Sequence, residues 1–231
     1  MANRKPLRIL HTSDVHLLSL SEGDCNSIGK MVDVAIQSKV DLVLIAGDFF
    51  DHNRVDDDIV RFAIQQLQRL PVGVVILPGN HDCLSPDSVY HRKELWRGAT
   101  NVSIFRDPHG ETLSFPDLGV SMWGKANISY ENDLRPMGDI PQTEGNGQWH
   151  IAVAHGYFYN SAAPLLMSYH ITPEEIAASG RDYVALGHLV TFQCVCRDPV
   201  AYYSGSPSQT GTMAIVDLAE ETGVQVTRHT L

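Results

Sequence analysis

Short apolar runs recur along the chain, and five of them end in polar residues of one character. Leu7-Arg8-Ile9-Leu10-His11 leads into Thr12-Ser13-Asp14-Val15-His16, and Leu42-Val43-Leu44-Ile45-Ala46 into Gly47-Asp48-Phe49-Phe50-Asp51-His52. Val72-Gly73-Val74-Val75-Ile76-Leu77 precedes Pro78-Gly79-Asn80-His81-Asp82. Ile151-Ala152-Val153-Ala154 precedes His155-Gly156, and Tyr183-Val184-Ala185-Leu186 precedes Gly187-His188. Runs of this length and continuity predict strands in sheets covered on both faces. Between the first three, Ile28, Met31, Val32, Ala35 and Ile36 recur at helical spacing, as do Ile59, Phe62, Ala63, Leu67 and Leu70. Strand, helix, strand, helix, strand implies a parallel βαβ arrangement.

After about Asn101 the texture changes. Runs at 102–105, 119–123, 192–195, 201–203, 213–218 and 224–227 lack long helices between them, and predict partly antiparallel strands that close a second sheet. The expected fold class is α/β, a two-layered mixed sheet sandwich within one domain spanning 1–231. The stretch 124–148, rich in Gly, Pro, Asn and Asp, reads as a surface excursion, with a substrate-covering loop as the alternative.

Composition narrows the function. The chain has 231 residues, 43% hydrophobic and 19% charged, with a formal net charge of −10. That balance argues against a broad basic surface for nucleic acid, although bound divalent cations would reverse the sign locally. The basic start is followed by too short an apolar run for a secretory signal, and no stretch approaches a membrane span. Four scattered Cys (25, 83, 194, 196) read as free thiols in a reducing cytoplasm.

In open α/β folds ligands gather at the carboxyl ends of strands. Each of the five runs delivers a metal-ligating residue type to that end. Asp14 and His16 are one residue apart, so extended backbone would point both side chains the same way. Carboxylate and imidazole donors suit borderline divalent ions such as manganese, iron or zinc. Two such ions clamp a phosphoryl group and activate water, and a nearby His would protonate the leaving oxygen.

Asp14-x-His16, Gly47-Asp48-x-x-Asp51, Gly79-Asn80-His81-Asp82, His155-Gly156 and Gly187-His188, in that order, resemble the calcineurin-like metallophosphoesterase family over roughly residues 9–190. The resemblance implies an α-β-β-α sandwich holding two divalent ions. Asp14 and His16 would bind the first ion, Asp48 would bridge both, and Asn80, His155 and His188 would bind the second. His81 would be the leaving-group acid, oriented by Asp82. Within the family, His11-Thr12-Ser13-Asp14-Val15-His16, Ala46-Gly47-Asp48-Phe49-Phe50-Asp51 and Tyr203-Ser204-Gly205-Ser206-Pro207 look closest to SbcD-like DNA-repair exonucleases.

One position departs from the pattern. The family's last motif is Gly-His-x-His, and here it reads Gly187-His188-Leu189-Val190, so the first ion loses a protein ligand. His52, Asp51 and Asp24 are the candidate substitutes. Elsewhere, His11 reads as structural, His52 as either a surface residue or a substrate contact, and Tyr157 and Tyr159 as pocket lining or packing. Asp56-Asp57-Asp58 matches the dipole at a helix start. Cys194 and Cys196 read as ordinary thiols on one strand face. Cys83 follows His81-Asp82 closely enough for oxidation there to impair activity.

The expected activity is hydrolysis of phosphate esters, diesters favoured, by metal-activated water, with small or single-stranded substrates preferred over duplex DNA. The alternatives are an SbcD-like exonuclease subunit working with an ATPase partner, and a degenerate member that binds phosphorylated ligands or partners without catalysis. No membrane association is expected.

Overall fold

The protein is described from a computed structural model covering residues 4–130, 134–143, 147–160 and 169–231. In chain order the elements are β1 (Leu7–Thr12), α1 (Glu22–Gln37), β2 (Leu42–Ala46), α2 (Asp57–Leu67), β3 (Gly73–Leu77), α3 (Lys93–Trp96), β4 (Val102–Ile104), β5 (Glu111–Phe115) and β6 (Val120–Gly124). There follow β7 (Trp149–His155), β8 (Tyr157–Phe158), β9 (His170–Ile171), α4 (Pro173–Ala178), β10 (Tyr183–Gly187), β11 (Phe192–Arg197), β12 (Val200–Ser204), β13 (Thr212–Ala219) and β14 (Gly223–Thr230).

Two six-stranded sheets form, ordered β14-β13-β1-β2-β3-β4 and β11-β12-β10-β7-β6-β5. The βαβ expectation holds: β1, β2, β3 and β4 are parallel neighbours. The later strands divide differently from the sequence reading. Only β5, β6, β7, β10, β11 and β12 build the second sheet, whereas β4 extends the first and the β13–β14 hairpin pairs antiparallel onto β1. Hydrophobicity marks a strand but not the sheet edge that receives it, and β1 had a free edge to offer.

Side-chain alternation produces four layers. Leu10, Val43, Ile45, Val74 and Ile76 face α1 and α2 in one buried cluster. Ile9, Leu42, Leu44, Val75, Met122, Ile151, Val153 and Ala185 fill the space between the sheets. Trp123, Ala152, Ala154, Val184 and Leu186 face outward against Ile176 of α4. The strands that end in the five polar motifs are therefore buried on both faces, which is why they read as unbroken apolar runs.

Helix starts follow local chemistry. Ser21 caps α1 through its hydroxyl, Asp57 and Asp58 open α2 as expected for that acidic run, and Thr172 with Glu175 forms a reciprocal cap on α4. Cys194 and Cys196 do not share a strand face, contrary to the simple alternation. A bulge shifts the β11–β12 register between them, and both Val195 and Cys196 turn toward the outer cluster while Phe192 packs inward. The excursion after β6 includes residues 131–133 and 144–146, which lie outside the described residues.

Candidate metal centre

The carboxyl ends of β1, β2 and β3 in one sheet meet those of β7 and β10 in the other. The seam is drawn tight by glycine. A Cβ on Gly187 would lie 1.8 Å from the Ala46 carbonyl oxygen, and one on Gly47, at φ 96°, would lie 2.0 Å from the His155 ring. Past the strand ends the chain turns sharply: Asp14, His16, Asp48 and His188 all have positive φ (52°, 49°, 52° and 97°). Such conformations cost of order 1–3 kcal/mol each and persist where surroundings enforce them. Here the Asp14 and His16 amides donate to the Gly47 and Asp48 carbonyls at 3.0 Å each. The Ser206 hydroxyl donates to the Asp14 carbonyl at 2.6 Å.

Two donor groups result, His16–Asp48–His81 and Asp48–His155–His188, with donor atoms in each within 4.8 Å of one another. Asp48 belongs to both. In the second group, His155 Nε2 lies 3.1 Å from Asp48 Oδ2, 3.1 Å from Asn80 Oδ1 and 3.3 Å from His188 Nδ1. Those separations match the roughly 3.0–3.4 Å between ligands on an ion with bonds of about 2.1 Å. The donor set thus fits a divalent ion. The first group is looser, with His16 Nε2 3.8 Å from Asp48 Oδ2. Asp14 enters neither group, its Oδ1 lying 3.9 Å from His16 Nε2.

His155 and His16 are each held by the ring nitrogen that faces away from the centre. His155 Nδ1–H donates to the Ala46 carbonyl at 2.8 Å, and His16 Nδ1–H to Asp51 Oδ1 at 3.0 Å, so both present Nε2 to the centre. His81 Nδ1–H donates to the Asp51 carbonyl at 2.8 Å, while its backbone amide donates to Asp48 Oδ1 at 2.9 Å.

Burial and close charges bias the ionisation of these groups strongly. Burial alone would raise Asp48, but the adjacent His155 carries its carboxyl well below the usual range. Burial, then the Asp48 carboxylate, raises Asp14. Burial opposes protonation of His155, yet Asp48 lifts it to about 9. Burial and then the charge on His155 lower His188 to about 4.

Asp82 does not orient His81. It is fully buried beneath the loops, where Oδ1 accepts from the Gly79 amide and Oδ2 from the Phe49 and Phe50 amides and the Tyr90 hydroxyl (2.6 Å). A carboxylate turned inward to brace these two loops from below is not directed at an exposed ring. Asp51, through its carbonyl, is the residue that holds His81.

Of the candidate replacements for the missing ligand, Asp24 is occupied at the start of α1, accepting from Ser19. Asp51 touches His16 as a neighbour, and His52 accepts from the Arg54 amide. Among the described residues neither Asp24 nor His52 enters a donor group, whereas His81 does. Val190 is half-buried, its carbonyl taking a bond from Thr210. His11 is structural, as read: Nδ1 meets the Tyr183 hydroxyl at 2.8 Å between the sheets, and burial lowers the ring to about 3.

Beside the centre lies a pocket of about 180 Å³ lined by Asp51, His52, Asn80, His81, Tyr130 and Tyr169. Neither Tyr was prominent in the sequence, because they come from loops without a motif. Tyr157, by contrast, stands edge-on to His188 with ring centres 5.9 Å apart.

Strand ends, a shared carboxylate and histidine pairs thus bring two groups of candidate metal ligands together at one seam. The model of the calcineurin-like phosphoesterase family matches residues 7–192, and the chain belongs to that family. The uncharacterized metallophosphoesterase YhaO of Bacillus subtilis (strain 168) is 28% identical, over 87% of this chain and 53% of that protein. The DNA double-strand break repair protein Mre11 of Nanoarchaeum equitans (strain Kin4-M) is 31% identical over 84% of this chain and 52% of its own. The chain thus spans about half the length of these curated relatives. Among solved structures, TT1561 of Thermus thermophilus matches with a TM-score of 0.65 at 11% identity, covering 98% of this chain and 99% of that one. A dimetal phosphatase from Danio rerio matches with a TM-score of 0.60 at 12% identity, covering 97% and 98%. These two likenesses show the fold. No described helix is long and apolar enough to cross a membrane.

Proposed function

We propose that the protein hydrolyses phosphate esters, preferentially diesters, at two divalent ions held by Asp14, His16, Asp48, Asn80, His155 and His188. The observation that carries this reading is the sharing of Asp48 between two donor groups at the seam of the sheets. Two ions there would polarise the phosphoryl group and lower the pKa of water. Manganese is the preferred ion for this mixed oxygen and nitrogen set, with iron and zinc as alternatives.

The chain's own residues supply the rest. Asp48 holds both halves of the site together, and His155 keeps its neutral, ligating tautomer by donating to Ala46. His81, with Nδ1–H committed to the Asp51 carbonyl, delivers a proton from Nε2 to the leaving-group oxygen. The pocket at Tyr130 accepts the organic substituent of a diester.

Metal-supplemented protein tested on monoesters, cyclic nucleotides, small diesters and single-stranded DNA should hydrolyse small diesters fastest. No turnover with manganese, iron or zinc would overturn the enzyme reading and favour a non-catalytic phosphate binder. His81→Ala should lower turnover by about a hundredfold or more with metal content unchanged; loss of one ion would instead make His81 a ligand. The Mre11 likeness favours one second reading, an exonuclease acting with an ATPase partner. Manganese-dependent release of nucleotides from DNA would select it.

A further inference from the structure

A second cavity lies well away from the metal centre. It holds about 400 Å³ on the outer face of the second sheet, where Thr112, Ser114, Ser121 and His150 project beside Arg181. His150 lies at the opposite end of β7 from His155, about 17 Å away at the rise of a strand. Around the carboxyl ends this face is covered by α4 and the outer apolar cluster; at the amino ends it carries hydroxyls and an imidazole.

Arg181 sets the character of the cavity. It is 7% exposed, and Nη2 donates to the Pro141 carbonyl at 2.9 Å. Nη1 is buried and has no hydrogen-bond partner among the described residues. The adjacent carboxylate is engaged elsewhere, Asp182 Oδ1 by Arg4 and Oδ2 by the His150 amide, each at 2.8 Å. A buried guanidinium nitrogen left without an acceptor is costly. The described lining supplies a cation and hydroxyl groups over the apolar floor of Trp123.

We infer that this cavity binds a small organic oxyanion, its phosphoryl or carboxyl head on Arg181 and its apolar part on Trp123. Guanidinium is suited to both heads because its paired N–H groups match two oxygens of either. The volume exceeds that of a bare ion and leaves room for the organic part. The site is separate from the metal centre and does not depend on it.

Calorimetric titration of the metal-loaded protein with phenylphosphonate, benzoate and benzyl alcohol tests the assignment. Asp48→Asn serves to remove the metal centre's own claim on the anions. Phenylphosphonate or benzoate should bind both wild type and Asp48→Asn, the better of the two identifying the preferred head. Arg181→Gln should weaken that binding by at least about tenfold while leaving diester hydrolysis as in wild type. Ser114→Glu, at an exposed position that tolerates the change, should do the same by placing a carboxylate in the cavity. Anion binding that disappears in Asp48→Asn, that survives both cavity substitutions, or that benzyl alcohol equals would overturn the proposal.

Discussion

At the scale of single residues, the motifs declared the donors but not their supports. His16, Asp48, His155 and His188 come together in the two donor groups, with Asn80 beside the second and Asp14 at their border, because each follows a buried strand. Asp82 was misread because adjacency in sequence suggested contact, whereas the turn sends its side chain inward to four donors. Asp82→Ala should therefore cost stability, by at least about 3 kcal/mol, since three buried amides lose their acceptor. Urea unfolding of the metal-free protein would measure this, and a loss of activity without a loss of stability would contradict the bracing role. Val190 is the complementary case, a single letter from which the sequence predicts a weaker first metal site. Val190→His should tighten that site by at least about tenfold, the scale on which even outer partners of metal ligands act. Competition with a chelator would read it directly.

Strand positions were legible from hydrophobicity, because burial on both faces leaves a continuous apolar run. Pairing was not. Nothing in 213–218 states that β13 docks on β1, and nothing in Cys194-Val195-Cys196 states that a bulge reverses the alternation. Nor did the glycines of the motifs disclose their purpose until the second sheet was in place. Gly187→Ala should force β10 from β2, since the added carbon would sit 1.8 Å from the Ala46 carbonyl oxygen. A destabilisation of about 1–3 kcal/mol, or more, is expected, together with weaker binding of the ion at His155 and His188. Thermal unfolding with and without metal separates the two effects.

For the whole molecule, the interior between the sheets imposes a pH dependence on stability. His11 is buried and held near a pKa of about 3, below the 6.5 of a free imidazole. As pH falls below 6.5 the unfolded chain takes up a proton that the folded state refuses, so stability declines, by up to about 1.4 kcal/mol per pH unit. His11→Asn should flatten that acid limb between pH 6.5 and 5 while changing little above pH 7.5, as denaturant midpoints across that range would show. An unaltered slope would assign the decline to other groups.

The sharing of Asp48 has a mechanical meaning as well. Its partners in one donor group, His16 and His81, follow strands of the first sheet, and those in the other, His155 and His188, follow strands of the second. An ion coordinated from both sides is a rivet through two plates that otherwise adhere mainly by greasy contact. Loading would then lock the sandwich against shear, and stripping it would let the plates slide at the catalytic rim while each sheet kept its own ladder of hydrogen bonds.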